Sequence, residues 1–245
     1  MKDIFTEIYN SNLWENPETV SGDGSTVANT ITTNEKIVEW TSKFGSNVVD
    51  IPCGDFNFMR LIAPNFKKYI GIDIVDELME NNKSKYNFSN CEFLSGNVVN
   101  FDYASLNMAQ PDIIIIKDCF IHLSNKNIFD ALKNLTRSNI KYLVANNYVG
   151  SKNENGDVDG GSRPINLSYP PFSLPASIDT IFCDKDWKNK QLSIWRISDI
   201  TMEESYWEYY TKNNKTNNKP WYFGLEGNWW WGMTEEQFLE EVEKG

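Results

Sequence analysis

The chain has 245 residues, with 23 Lys and Arg against 34 Asp and Glu, for a net charge of −11. That balance disfavours nucleic acid and anionic membrane as partners, because both are held by clustered cations that release counterions. The length supports a core without staples, and the four cysteines Cys53, Cys91, Cys119 and Cys183 form no C-x-x-C pair; reduced thiols and no metal site are expected.

Residues 1–45 predict a helical cap. Phe5, Ile8 and Tyr9 share one helical face, Ile37, Val38 and Trp40 belong to a second apolar segment, and Val20–Ser25 between them is a donor-rich Gly/Ser loop. Met1–Glu7 carries acidic residues where a secretory leader needs an apolar core, and the longest aliphatic run, Ile113–Ile116, is too short to span a bilayer. A cytoplasmic location is therefore expected.

Residues 46–200 predict an α/β domain: strand 47–52, helix from 56, strand 69–73, helix 75–86, strands 91–95 and 112–117, helix 125–138, strand 140–146, and an antiparallel hairpin from 178–182 and 192–197. Alternating strands and helices predict a Rossmann-like, mainly parallel, seven-stranded sheet with helices on both faces. The stretch Asp50-Ile51-Pro52-Cys53-Gly54-Asp55-Phe56, followed by Gly71-Ile72-Asp73, reads as strand, glycine turn, helix and second strand ending in a carboxylate. That unit holds a nucleoside, its carboxylate taking ribose hydroxyls. The later glycines of a dinucleotide fingerprint are absent; Phe56 and Met59 stand there instead, which disfavours a pyrophosphate and hence a nicotinamide dehydrogenase.

Residues 148–177 predict a long substrate loop, since Gly, Pro, Asn and Ser recur throughout it. Asn155, Asp157, Asp159 and Gly160 imitate the start of a calcium loop, but the twelfth position is Asn166, so a plain turn is expected. Asp118, Asn146 and Asn147 offer magnesium only one charge, too little for a metal site. The extension 201–245 is aromatic-rich, with Trp207, Tyr209, Tyr210, Trp221, Tyr222, Phe223 and Trp229–Trp231 before an acidic helix from Thr234. It is read as a packed strap, a lid or a homodimer interface.

These motifs, with Lys117-Asp118-Cys119-Phe120-Ile121-His122-Leu123-Ser124, resemble the class I S-adenosylmethionine-dependent methyltransferases. Val20–Ser25, Asp50–Phe58, Asp118–Ser124 and Leu192–Arg196 are similar to bacterial and viral members, some linked to surface-polysaccharide (capsule sugar) biosynthesis. The resemblance implies S-adenosylmethionine as cofactor, with S-adenosylhomocysteine as product. It places Gly54 against the methionine part, with Asp50 and Asp55 near its ammonium, Asp73 on the ribose, and Asn97 near the adenine, where an acidic residue is commoner. Ser21, Gly22, Gly24, Ser25, Pro52, Cys53, Ile74, Val98 and Lys117 complete the expected cofactor contacts, and Asp118, where it does not serve His122, contributes mainly its backbone carbonyl.

His122, the only histidine, stands just past a buried strand and suits a general base near neutral pH. Asp118, four residues earlier, is expected to orient or polarise it if the segment makes a helical turn; the bland alternative makes His122 a helix cap. Tyr9, Trp14, His122, Asn147 and Arg163 are the expected acceptor contacts, Arg163 as a clamp for phosphate or carboxylate. The expected function is O-methylation of a small polar acceptor such as a nucleotide-linked or phosphorylated sugar. A nitrogen, phosphate-derived or carboxylate acceptor, or an inactive cofactor-binding partner subunit, stays open.

Overall fold

The computed structural model describes residues 1–108, 110–153, 156, 158–182, 189–204, 207, 208 and 212, with the backbone of 221–223 and 229–231. Asn155, Asp157, Cys183, Tyr209, Tyr210 and the helix expected from Thr234 lie outside the described residues, as do the side chains of Trp221–Phe223 and Trp229–Trp231.

Two helices precede the sheet, α1 (Lys2–Asn10) and α2 (Val27–Phe44). The first buries Ile4 and Ile8, one turn apart on a single face. The second is capped by Thr26, whose side chain accepts from the Asn29 N–H. It ends at Gly45, whose φ of 118° suits a residue without a Cβ.

Strands β1 (Asn47–Asp50), β2 (Lys68–Asp73), β3 (Cys91–Ser95), β4 (Ile113–Ile116) and β5 (Tyr142–Tyr148) run parallel, and β6 (Asp179–Phe182) and β7 (Lys190–Arg196) close one edge antiparallel. Their order is β3-β2-β1-β4-β5-β7-β6. The chain therefore leaves β1 toward one side and β4 toward the other, and the crevice between their carboxyl ends is where open α/β sheets receive ligands. Helices α3 (Asp76–Lys85) and α4 (Asn125–Thr136) connect the parallel strands. Every residue of β4 is buried, which is why its four isoleucines show no alternation.

The helix expected from 56 is absent. Two 3-10 turns, Met59–Leu61 and Ala63–Asn65, replace it. Phe56 takes φ 62° and Pro64 lies at the start of the second turn, so the backbone is broken at both ends of the stretch. Phe56 and Met59 are fully buried, and Phe56 packs on Tyr69, Tyr86 and Phe93 at ring separations of 5.0 Å. A pyrophosphate is therefore disfavoured for a different reason than steric obstruction: no helix begins here to receive it.

Of the extension, Trp207 is buried and stacks on Phe129 of α4 at 4.8 Å, and the backbone of Trp221–Phe223 pairs antiparallel with Trp229–Trp231. Among the described residues no helix is long and apolar enough to cross a membrane, and no cluster of metal-ligating side chains occurs.

Candidate active site

A cavity of about 940 Å³ opens at the carboxyl ends of β1, β2 and β4, large enough for a nucleoside cofactor and a small acceptor together. The strand ends supply its floor, and α1 with the loop after it supplies its roof. Ser21, Gly22, Gly24, Ser25, Pro52, Cys53, Gly54, Asp73, Ile74, Asn97, Val98, Lys117, Asp118, Tyr9, Trp14, His122 and Arg163 all line it.

Asp73 ends β2 with its carboxylate inside the site. It accepts from the Gly54 N–H and the Val75 N–H, both at 3.1 Å. Burial raises its pKa to about 6 against these backbone donors. A buried carboxylate poised in this way favours a ligand that brings hydroxyl donors or positive charge. Gly54 has φ 55° and a Cβ there would collide with Ser21 Oγ, so the glycine turn and the Ser loop approach as only glycine allows. Asn97 lines the cavity while its Oδ1 accepts from the Val99 N–H at 2.9 Å. The Cys53 thiol is pushed well above its ordinary pKa by burial and is no thiolate nucleophile.

Asp50 and Asp55 do not line the cavity. Asp50 lies beneath the floor and accepts from the Tyr69 hydroxyl at 2.7 Å. Asp55 points back to the cap, accepting from Thr19 Oγ1 at 2.8 Å, Ser21 Oγ at 3.1 Å and the Val20 N–H at 3.2 Å. Strand alternation explains Asp50, and the demand of three cap donors explains Asp55.

Burial raises the Asp50 pKa to about 7, opposed by Tyr69 and Lys117. A carboxyl whose folded pKa exceeds its unfolded value of about 3.9 contributes stability that is complete below that value and lost as pH rises through the folded one. Asp50→Asn keeps an acceptor for Tyr69 and removes that loss. The variant is therefore expected to gain thermal stability over the parent increasingly from pH 4 to pH 8; an advantage that shrinks as pH rises would contradict the buried charge.

Asp118 does not orient His122. It takes φ 51° directly after β4, and its carboxylate pairs with Lys117 at 2.5 Å and Lys190 at 2.9 Å. Burial pushes its pKa up, but the two ammonium groups outweigh this and hold it well below the ordinary carboxylate range. The left-handed backbone turns the side chain back toward β7, so the helical geometry the expectation needed never forms. Lys117 also donates to the Gly24 carbonyl at 2.7 Å, tying the cap loop to the end of β4. A Cβ on Gly24 would lie 2.7 Å from Asp118 Oδ2, which makes this contact specific to glycine.

Asn147 is likewise no acceptor contact. It is buried in β5, accepting from the Leu167 N–H at 2.8 Å and donating to Ser168 Oγ at 3.3 Å, and so anchors the 148–177 loop to the sheet.

His122 is half-buried in a single 3-10 turn, Phe120–His122, and lines the cavity. The cap of α4 is Ser124, which accepts from the Asn127 N–H at 3.2 Å, so His122 is free of that task. Its Nδ1 lies 2.7 Å from the Gly161 carbonyl. A carbonyl only accepts, so Nδ1 carries the hydrogen and Nε2 keeps the lone pair. Burial lowers the imidazole pKa, the Gly161 carbonyl and Asp118 oppose that, and Lys190 and Arg163 reinforce it. The ring of Trp14 covers the imidazole at 5.3 Å and 30°. Lys190 and the Gly160–Ser162 stretch also line the site; no motif marks them, because their place follows from β7 pairing with β5 and from the fold of the long loop.

The chain is similar to known proteins in sequence and in fold. Residues 48–139 match the family described as a methyltransferase domain. The match spans 92 of the 245 residues, less than half of the chain. The N-methyltransferase NodS of Bradyrhizobium japonicum WM9, crystallised with S-adenosyl-L-homocysteine, is similar in structure at TM-score 0.55 and 14% identity, over 78% of this chain and 98% of that one. Magnesium protoporphyrin IX methyltransferase (ChlM) from Synechocystis PCC 6803 with bound S-adenosylmethionine is similar at TM-score 0.52 and 12% identity, over 69% of this chain and 80% of that one. The likeness is one of fold: a Rossmann-like methyltransferase sheet. An uncharacterized RNA methyltransferase of Clostridium tetani (strain Massachusetts / E88) is 33% identical over 72 residues. That stretch is 28% of this chain, and the chain spans only 15% of that protein.

Proposed function

We propose that the protein is an S-adenosylmethionine-dependent methyltransferase that methylates a hydroxyl of a small anionic acceptor, a phosphorylated or nucleotide-linked sugar of the kind used in surface-polysaccharide biosynthesis. The observation that carries the reaction is His122, presented neutral in the cofactor cavity with Nδ1 committed to Gly161. The cofactor, when bound, supplies a methyl on a sulfonium whose C–S bond breaks as the new C–O bond forms. Nε2 of His122 takes the hydroxyl proton, Asp73 holds the ribose, and Trp14 and the cap shield the site from water.

The acceptor class rests on charge near the imidazole. Lys190 and Arg163 both act on His122, opposed by the already paired Asp118, while the other acidic lining residues are Asp73 at the end of β2 and Glu15 and Asp23 on the cap. A guanidinium suits phosphate or carboxylate. The net charge of −11 argues against RNA as the acceptor.

The test is release of S-adenosylhomocysteine with sugar nucleotides, phosphosugars, hydroxy acids, their uncharged parents, amines and RNA. Anionic hydroxyl compounds should turn over, and Arg163→Met should raise their KM by about tenfold or more with a smaller change in kcat. Turnover confined to amines or RNA, or none with any compound, would defeat the reading.

A further inference from the structure

We propose that Asp159 is a positioning residue for His122, holding Gly156 and residues 158–163 against the 120–125 turn so that the Gly161 carbonyl fixes the imidazole tautomer. This rests on the reading of His122 as the general base.

Asp159 takes no part in the cofactor or acceptor contacts described above, yet its carboxylate is fully used. Oδ1 accepts from the Ser124 N–H at 2.8 Å and from Asn127 Nδ2 at 2.9 Å, and Oδ2 accepts from Asn127 Nδ2 at 2.8 Å. Ser124 and Asn127 belong to the first turn of α4, where a negative charge is favoured and N–H donors need partners. The carboxylate thus pins the long loop to α4, which begins three residues after His122.

From that pin the loop is laced to the turn by its backbone. The Gly160 N–H donates to the His122 carbonyl at 2.8 Å, the Arg163 N–H to the Ile121 carbonyl at 3.1 Å, and the Asn125 N–H to the Gly156 carbonyl at 2.7 Å. Arg163 Nη2 adds a bond to Asn125 Oδ1 at 2.8 Å. Gly160 takes φ 93°, and a Cβ there would lie 2.7 Å from Ile4 of α1, so the loop passes beneath the cap in a conformation that glycine favours. The Gly161 carbonyl, next along, arrives 2.7 Å from His122 Nδ1. His122 is held through both its backbone and its ring, by one strand of chain that Asp159 anchors. The charged groups around the ring are Asp118 after β4, Lys190 on β7 and Arg163 on the loop; the Gly161 carbonyl is the contact that fixes Nδ1 as donor.

An unconstrained neutral imidazole exchanges between two tautomers, and only the Nδ1–H form leaves Nε2 as acceptor. Because His122 is the only histidine in the chain, nitrogen NMR of histidine-labelled protein reads this one ring without overlap and without cofactor. In the parent, Nδ1 should show as the protonated nitrogen and Nε2 as the bare one above the imidazole pKa. In Asp159→Ala the two signals should move toward the averaged positions of mixed tautomers, and kcat should fall by about tenfold or more, with cofactor affinity nearly unchanged. The exchange Asn127→Asp with Asp159→Asn keeps an acceptor for Ser124 and a donor–acceptor pair between the two side chains, so it should restore both readouts.

A parent-like tautomer in folded Asp159→Ala overturns the positioning role, and so does a folded exchange variant that restores neither readout. If Asp159→Ala does not fold, the exchange variant and Asp159→Asn alone, whose amide would face the Asn127 amide, carry the same comparison. A shifted tautomer with unchanged turnover sinks the general-base reading of His122 while the positioning by Asp159 stands.

Discussion

His122→Ala is expected to lower kcat by about 10²–10⁴-fold, the usual contribution of a positioned general base, and to leave the affinity for S-adenosylmethionine nearly as it was. In the proposed reaction the imidazole works on the acceptor hydroxyl, whereas the proposed cofactor contacts lie at the ends of β1 and β2, so the two effects separate. The pH profile gives an independent check. Protonated imidazole cannot accept a proton, so turnover should fall as pH drops through the His122 pKa. Burial sets that pKa below its ordinary value, with Lys190 and Arg163 adding to the shift. The plateau in kcat at saturating cofactor should therefore extend below pH ~6.5, the reference for an unperturbed imidazole. His122→Ala should lose that acid limb, and steady-state rates across pH measure it. Near-parental turnover in the variant would remove His122 from the reaction.

The β-strands were legible in the sequence because their side chains report burial directly. Ile113–Ile116 reads as a strand covered on both faces, and its register beside β1 and β5 puts it at the centre of the sheet. The glycine turn and Asp73 were legible for the same local reason: the spacing of strand, Gly54 and carboxylate encodes a geometry that few other folds use. What failed depended on backbone twists of single residues. Phe56 and Asp118 both adopt left-handed φ without being glycine, which propensity does not anticipate. The first removes a helix, and the second swings a carboxylate away from histidine toward Lys117 and Lys190. Lys190 itself lies 68 residues beyond His122, and only the antiparallel return of β7 along β5 brings it into the site. Asn147 shows the converse: a polar residue at a strand end looks like a ligand contact, but the long loop claims both ends of its amide.

Asp73 is where cofactor binding is expected to be most sensitive. A carboxylate that accepts both ribose hydroxyls makes two charge-assisted bonds, each contributing roughly 1.5–3 kcal/mol. Asp73→Ala should then weaken S-adenosylmethionine by at least about 100-fold, since each 1.4 kcal/mol is tenfold. It also strands the Gly54 and Val75 N–H groups that the carboxylate now satisfies, so Asp73→Asn, which keeps one acceptor, is the cleaner variant. That change should cost affinity by an intermediate factor. The pH dependence fixes the charge state as well as the contact. Without cofactor the Asp73 pKa is raised to about 6 by burial, above its unfolded value of about 3.9, so its contribution to fold stability is complete below pH 4 and lost as pH rises through 6. Binding needs the ionised form, because only the carboxylate accepts from two hydroxyls without donating. Affinity should thus fall as pH drops below about 6, with uptake of a proton on release, and calorimetry across pH measures both. In Asp73→Asn this slope should flatten while the His122 limb in kcat persists. A slope that survives in Asp73→Asn, or an unchanged dissociation constant in either variant, would take the ribose contact away from Asp73.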